Sequence, residues 1–308
     1  MKKTNRNLVV GVVILAVLAG FWFALGQTTQ EKKSSNAVPD SLWQSFSWQD
    51  VQELTIRRTL FKKIDNTWKV EKDNIFFPIT LGAIDQIENF FADSQLKGKV
   101  AQTTVKHTQL EVTAIQGIHV TASTSSKKVV DVIVGKSGID FSSCYIRKSD
   151  EDTVYLATPN CKFTFDKNEW RNLSIMPAVN NLQIEKISIE QDGAFRELLK
   201  QGETIEWKEG DIDLDAEKVK NLMSAITGTQ AANILLSSEE TTDAFTTPKA
   251  TIQLDIKDHD SITIIVGTEA SGSEYYIQNP TKNEYVYTVS KTRVDDQWLI
   301  PIDELKKD

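Results

Sequence analysis

Val130-Asp-Val-Ile-Val-Gly135, followed by Tyr145-Ile146 and Val154-Tyr155, recurs later in the chain as Ile262-Thr-Ile-Ile-Val-Gly267, Tyr276-Ile277 and Val286-Tyr287. Gly135 and Gly267 are 132 positions apart, and so are Tyr155 and Tyr287. A spacing kept across two separate landmarks marks a duplicated unit, and a repeat sets the architecture before any local element is assigned.

The correspondence extends outward from that run. Val51–Ile56 is answered by Ile184–Ile189 at an offset of 133, and Trp68 by Trp207. Ile84, Ile87, Phe90 and Phe91 recur at helical spacing and predict an amphipathic helix over 83–93, with that stripe inward. Val219, Leu222, Met223 and Ile226 form the matching stripe, and Asp213 or Asp215 is placed to cap its helix. Alternating segments surround both helices: 118–122, 129–134, 144–147 and 154–157 in one copy, and 250–256, 262–266, 275–278 and 285–289 in the other. Val51–Ile56 and Thr67–Val70, linked through the Asp65-Asn66 turn signal, read as an opening antiparallel pair. Trp170 is expected in a short closing helix, with Trp298 as its parallel. The fold class is therefore α+β: an N-terminal transmembrane helix, then two tandem copies of a mainly antiparallel sheet unit with one amphipathic helix each. The expected segments are an anchor over 1–26, a linker over 27–47 with folding beginning near Leu42-Trp43, a first repeat over 48–177 and a second over 178–308.

The anchor rests on Leu8–Gly26, which has no charged residue and is long enough as a helix to span a hydrocarbon core. Lys2, Lys3 and Arg6 precede it, so the N-terminus is expected in the cytoplasm and the bulk outside a cytoplasmic (inner) membrane, in single-pass topology. The competing reading is a cleaved signal peptide ending at Ala24-Leu25-Gly26, although the apolar run exceeds the usual signal-peptide length. The remainder of the 308-residue chain holds 32 basic and 43 acidic residues, a formal charge of −11. That field disfavours nucleic acid and suits solubility.

Motifs of catalysis and ligation are missing from the sequence. Asp211-Ile-Asp-Leu-Asp215 resembles a calcium loop, but Ala216 and Leu222 stand where an EF-hand needs Gly and Glu, so helix capping is the better account. His107, His119 and His259 lie in separate segments without metal-ligand spacing. Gly135, Gly138, Gly267 and Gly272 form no dinucleotide fingerprint and read as turn residues tolerating positive φ. No catalytic, cofactor-binding or metal residue is assigned. The Tyr and Trp pairs read as cross-strand packing and core anchors in preference to a ligand groove. Cys144 and Cys161, in a segment expected outside the cytoplasm, predict a disulfide, provided Pro159-Asn160 turns the chain back; free redox thiols are the alternative and lack a Cys-x-x-Cys context.

With the anchor, the Thr67-Trp68-Lys69 and Glu206-Trp207-Lys208 segments, the helix stripes and the Val-Gly, Tyr-Ile, Val-Tyr run in view, the chain resembles the bacterial membrane-anchored proteins of domain-of-unknown-function family 4340. The resemblance implies an accessory role outside the membrane, beside ABC-type export or motility-like transport components, and supplies no catalytic residues. The expected function is a binding or scaffolding module held to the membrane through residues 8–26, with a transporter or envelope protein as partner. The alternative is an envelope hydrolase using a carboxylate site that no motif reveals.

Overall fold

The computed structural model describes residues 37–202 and 206–307. Leu8–Gly26 lies outside the described residues; among those described, no helix is long and apolar enough to cross a membrane.

The chain forms two compact units, one holding Gly82–Glu169 and the residues up to Phe76, the other Phe77–Leu81 and the residues from Trp170 onward. The first contains β1 (Val51–Ile56), β2 (Thr59–Ile64), β3 (Thr67–Lys72), β4 (Ile75–Pro78), helix α1 (Ala83–Asp93), β5 (Gln95–Ala101), β6 (Ile118–Thr124), β7 (Lys128–Ser137), β8 (Cys144–Lys148), β9 (Val154–Thr158) and a short helix α2 (Cys161–Phe165). The second contains β10 (Ile184–Gln191), β11 (Ala194–Gln201), β12 (Glu206–Glu209), β13 (Ile212–Leu214), α3 (Ala216–Thr227), β14 (Asn233–Leu236), α4 (Glu239–Asp243), β15 (Ala250–Ile256), β16 (Ile262–Ser271), β17 (Glu274–Gln278) and β18 (Tyr285–Ser290). Each builds a nine-stranded sheet. The orders are β4-β3-β2-β1-β6-β7-β8-β9-β5 and β13-β12-β11-β10-β15-β16-β17-β18-β14, one topology used twice. The architecture is mainly β, with antiparallel pairing throughout the described ladders and α1 or α3 as the one long helix of each copy.

Local chemistry explains the first four strands. Asp65-Asn66 and Asp73-Asn74 have positive φ at both residues, as do Asp192-Gly193 in the second copy. Paired positive φ values make the tight turns whose twist matches antiparallel strands, and Asn, Asp and Gly adopt them at least cost. β1 and β3 are not partners, contrary to the expected opening pair. β2 lies between them, with Leu54 opposite Phe61 and Phe61 opposite Val70. In Thr-Leu-Phe-Lys-Lys-Ile only Phe61 is buried, so β2 lacks the alternation by which strands are recognised.

Helix α1 occupies the expected residues, but its inward stripe is Ala83, Ile87, Phe90 and Phe91, with Ile84 only half-buried. Helix α3 buries all four expected residues, and Asp215 caps it by accepting from Glu217 N and Lys218 N. The helices carry the chain from one edge of each sheet to the other, between β4 and β5 and between β13 and β14. Trp170 is not helical: its carbonyl accepts from Thr80 N at 2.8 Å, and the neighbouring Arg171 bridges to Ile79. Trp298 ends a helical turn spanning Val294–Trp298, is buried, and donates from Nε1 to Ala225 O at 3.0 Å.

The repeated run is a row of cross-strand partners. Val134 pairs with Ile146 and Ile146 with Tyr155; Val266 pairs with Ile277 and Ile277 with Tyr287. Its glycines are not turn residues. Gly135 and Gly267 sit inside β7 and β16 without positive φ, beneath a crossing segment. Lys136 N donates to Leu110 O at 3.2 Å, and Thr268 N donates to Ala244 O at 3.0 Å. A Cβ on Gly267 would lie 2.7 Å from Ala244 O, and one on Gly135 would collide with Leu110 O. The side chain is missing because another backbone needs the space. Gly135→Ala and Gly267→Ala are therefore expected to destabilise their units by about 1–3 kcal/mol each in urea unfolding. Gly98→Ala, whose Cβ meets nothing within 4 Å, should stay within about 0.5 kcal/mol; equal effects at all three sites would refute the close-approach account.

Candidate functional site

Because the two copies share one topology, places where they differ are where a function beyond folding can be sought. The hairpin after the repeated row is one. In the second copy, β16 and β17 are joined by Gly272-Ser273, with Ser271 opposite Glu274. In the first, Ser137 pairs with Cys144, and the six residues 138–143 stand out as a loop.

That loop is tied at several points. Gly138 N donates to Ser143 O at 2.8 Å. Asp140 accepts from Ser143 Oγ at 2.6 Å and from Ser142 Oγ at 2.8 Å. Those hydroxyls, Ser143 foremost, hold its carboxyl below the usual carboxylate range. Phe141 adopts φ 56°, unusual for an aromatic residue. The buried Asn160 holds it from behind, donating from Nδ2 to Phe141 O at 2.8 Å and to Ser137 Oγ at 2.9 Å. The other end of the same amide accepts from Lys162 N and caps α2.

The structure brings Cys144 and Cys161 to disulfide distance, with Cα atoms 5.6 Å apart. Tyr145 pairs with Leu156 and Cys144 with Ala157, so Cys161 lies past the hairpin position facing Cys144. The chain turns at the cis Thr158–Pro159 bond and at Asn160, and α2 returns Cys161 to β8. Both cysteines are fully buried. Around this anchorage three large apolar side chains face solvent: Ile139 is 94% exposed, Phe141 72% and Phe163, on α2, 68%. A loop held by a covalent link and an amide clamp, yet presenting apolar side chains outward, has the composition of a contact surface. The serines and Asp140 bear the shape of the loop and the apolar side chains its exposure; neither could be assigned to a site from sequence, which signals only the cysteines.

The other candidate residues stay apart. His107 is buried and bonds Asp152 O at 2.8 Å, whereas His259 is exposed in the turn after β15. His119 lies 2.7 Å from Asp131, which also takes Lys128 Nζ at 2.8 Å. Burial pushes Asp131 upward, but hydrogen bonds from Lys128, Ser149 and His119 outweigh it and hold the group at about 2. At neutral pH Asp131 is thus an ion-pair anchor, unsuited to donating a proton. Among the described residues no three His, Cys, Asp or Glu side chains group as a metal site would need. Asp213 pairs with Lys208 at 3.1 Å while Asp215 caps α3, which leaves the calcium-loop spacing without a shared focus. Of the tyrosines, Tyr155, Tyr275, Tyr285 and Tyr287 are buried, and burial raises Tyr287 to about 12.

The second divergence lies at the helix joint. Trp43, Phe46 and Trp48, preceding β1, pack on Phe91 of α1, with Trp43 edge-on at 5.0 Å between ring centroids. Leu42 is already buried, so the folded part includes this segment.

Twice-used antiparallel nine-stranded sheets with copy-specific loops define the class: a duplicated sheet protein without a recognisable catalytic centre among its described residues. The family model named Domain of unknown function (DUF4340) matches residues 68–247, more than half the chain. The protein belongs to that family. No curated protein and no solved structure matches it.

The paired cysteines make a specific demand. Alkylation of the unfolded chain without reductant should label no thiol, and reduction should lower stability by about 3 kcal/mol for a loop of this size. Full labelling of both cysteines in the protein purified without reductant would overturn the pairing.

Proposed function

We propose that this protein is an extracytoplasmic binding and scaffolding module, tethered to the cytoplasmic membrane through residues 8–26 and accessory to an envelope or ABC-type transport complex. The observation that carries the proposal is the apolar loop of the first copy, tied by Asp140, Asn160 and the cysteine pair. Exposing Ile139, Phe141 and Phe163 brings no benefit to folding, and apolar side chains held outward by a tied backbone lose little entropy when a partner covers them. The second copy replaces that loop by a two-residue turn, so the partner meets the first copy. The net negative charge outside the apolar segment disfavours nucleic acid, and the pairing of Cys144 with Cys161 suits an oxidising compartment. The apolar run from Leu8 to Gly26, flanked by Lys2, Lys3 and Arg6, supports the single-pass topology with the N-terminus inside.

Site-specific photocrosslinking of the full chain in its own membrane tests this. A crosslinker at position 139 or 163 should capture a membrane transport subunit. Ile139→Ser with Phe163→Ser should reduce co-purification of that subunit at least tenfold, with the unfolding midpoint unchanged. A chain that forms no adduct from either position and purifies alone would count against the proposal.

A further inference from the structure

Each copy places a short helical turn ahead of its first strand and rests it on the long helix, and the two joints differ in chemistry. In the second copy Asn181 opens the turn. It donates from Nδ2 to Ser224 Oγ at 3.1 Å and accepts from Thr227 Oγ1 at 2.9 Å, which closes the joint on α3. In the first copy Trp48 takes the position of Asn181, 133 residues earlier, and its partner on the long helix is Phe91. Their rings stack, with centroids 5.8 Å apart and planes 26° from parallel. Trp43 and Phe46 flank them, Phe46 lying 6.3 Å from both. Trp43, Phe46 and Trp48 are only half-buried. Beside them is a solvent-open groove of about 440 Å³, whose lining also includes Gln44 and Glu88.

Two observations mark the groove as more than loose packing. Trp48 Nε1 is buried and has no hydrogen-bond partner among the described residues. An unmatched buried donor costs about 1–3 kcal/mol, and a structural joint would be better served by the polar solution that the second copy uses. Glu88, half-buried on the rim, makes no ion pair or hydrogen bond among the described residues. Gln44 Oε1 takes Lys127 Nζ at 3.0 Å, which leaves its amide N–H groups to donate. The groove thus offers aromatic faces, the amide donors of Gln44 and one anionic acceptor, with the Trp48 N–H beneath its surface and no basic side chain in its lining.

These chemistries select among ligands. An anion would meet Glu88 without a compensating cation. A quaternary ammonium suits aromatic faces and a carboxylate, but it has no acceptor for the indole N–H. A sugar ring meets each requirement: its C–H face lies on an aromatic ring, its hydroxyls donate to a carboxylate, and an acetamido carbonyl accepts from an N–H while the methyl fills apolar space. We propose that this groove binds an uncharged N-acetylhexosamine unit of a glycan. Trp43 and Phe46 supply the stacking faces, Glu88 accepts from a hydroxyl, and Trp48 Nε1 donates to the acetamido carbonyl. The indole N–H lies beneath the surface, so entry of the acetamido group parts Phe46 from Trp48.

The test titrates the full chain with tri-N-acetylchitotriose, following tryptophan fluorescence. Cellotriose, the same backbone without acetamido groups, and tetramethylammonium serve as comparisons. Saturable binding of the acetylated trisaccharide at least tenfold tighter than cellotriose is expected, equivalent to about 1.4 kcal/mol. Trp48→Phe keeps an aromatic ring in the stack and removes the donor, so it should bring the two sugars within about threefold of each other while the chain stays folded. Glu88→Gln, on the rim, should weaken both sugars. Failure of the acetylated trisaccharide to bind at roughly millimolar concentration, equal affinity for the two sugars, discrimination unchanged in Trp48→Phe, or displacement by tetramethylammonium would each overturn the proposal.

Discussion

The structure depends on one close approach, made twice. In each unit the chain crosses to the far edge of the sheet through its long helix, and must then return to the middle to start the strand beside β1 or β10. The returning segment lies against the sheet and reaches it at a strand glycine: Leu110 O accepts from Lys136 N beside Gly135, and Ala244 O accepts from Thr268 N beside Gly267. Leu110 and Val112 then pack with Ile133 and Val154 in one apolar cluster. A side chain at the glycine would lift the crossing segment, break that hydrogen bond and open the cluster beneath it. The row running from Val134 through Ile146 to Tyr155 holds the strand in register at the same point, because slippage by one residue would carry its side chains to the other face of the sheet, where Leu110 and Val112 already lie.

Once that frame is secured by the same contacts in both copies, the periphery is free to diverge, and it does so by exchanging one chemistry for another at equivalent positions. A two-residue turn in one copy is a six-residue apolar loop in the other, clamped by Asn160 and the link between Cys144 and Cys161. The entry-turn amide Asn181, bonded to two hydroxyls in one copy, is Trp48, stacked on Phe91, in the other. Both substitutions add apolar side chains to the first copy, whose entry segment is nearest in sequence to the apolar run Leu8–Gly26. The proposals for a protein partner and for a glycan rest on different residues and stand or fall separately.

Much of this was legible in the sequence because burial leaves a period. The repeat, the helix stripes and strands such as Ala250–Ile256 carry apolar residues at the spacing their geometry demands. The strands that escaped notice do not: β5, Gln-Leu-Lys-Gly-Lys-Val-Ala, buries no residue fully, and β13 has three residues. Edge strands face solvent along one side and need no such pattern. Gly135 and Gly267 were visible as landmarks, but a glycine needed for close approach looks the same in sequence as one needed for positive φ. The cysteine pair was evident from its count, whereas the turn through Pro159 and Asn160 that brings it together was only a condition. Nothing in a sequence discloses an indole N–H without a partner, since that depends on which atoms surround Trp48.

The most direct test of the shared frame is native-state hydrogen exchange at the amides of Lys136 and Thr268. Each lies beside a strand glycine and donates to a segment that local secondary structure alone would leave as loop. The account predicts that both exchange only with unfolding of their unit, as slowly as the central strands β6 and β15. Exchange of either amide at the rate of exposed loop amides would show that the crossing segment is not held at the glycine, and would contradict it.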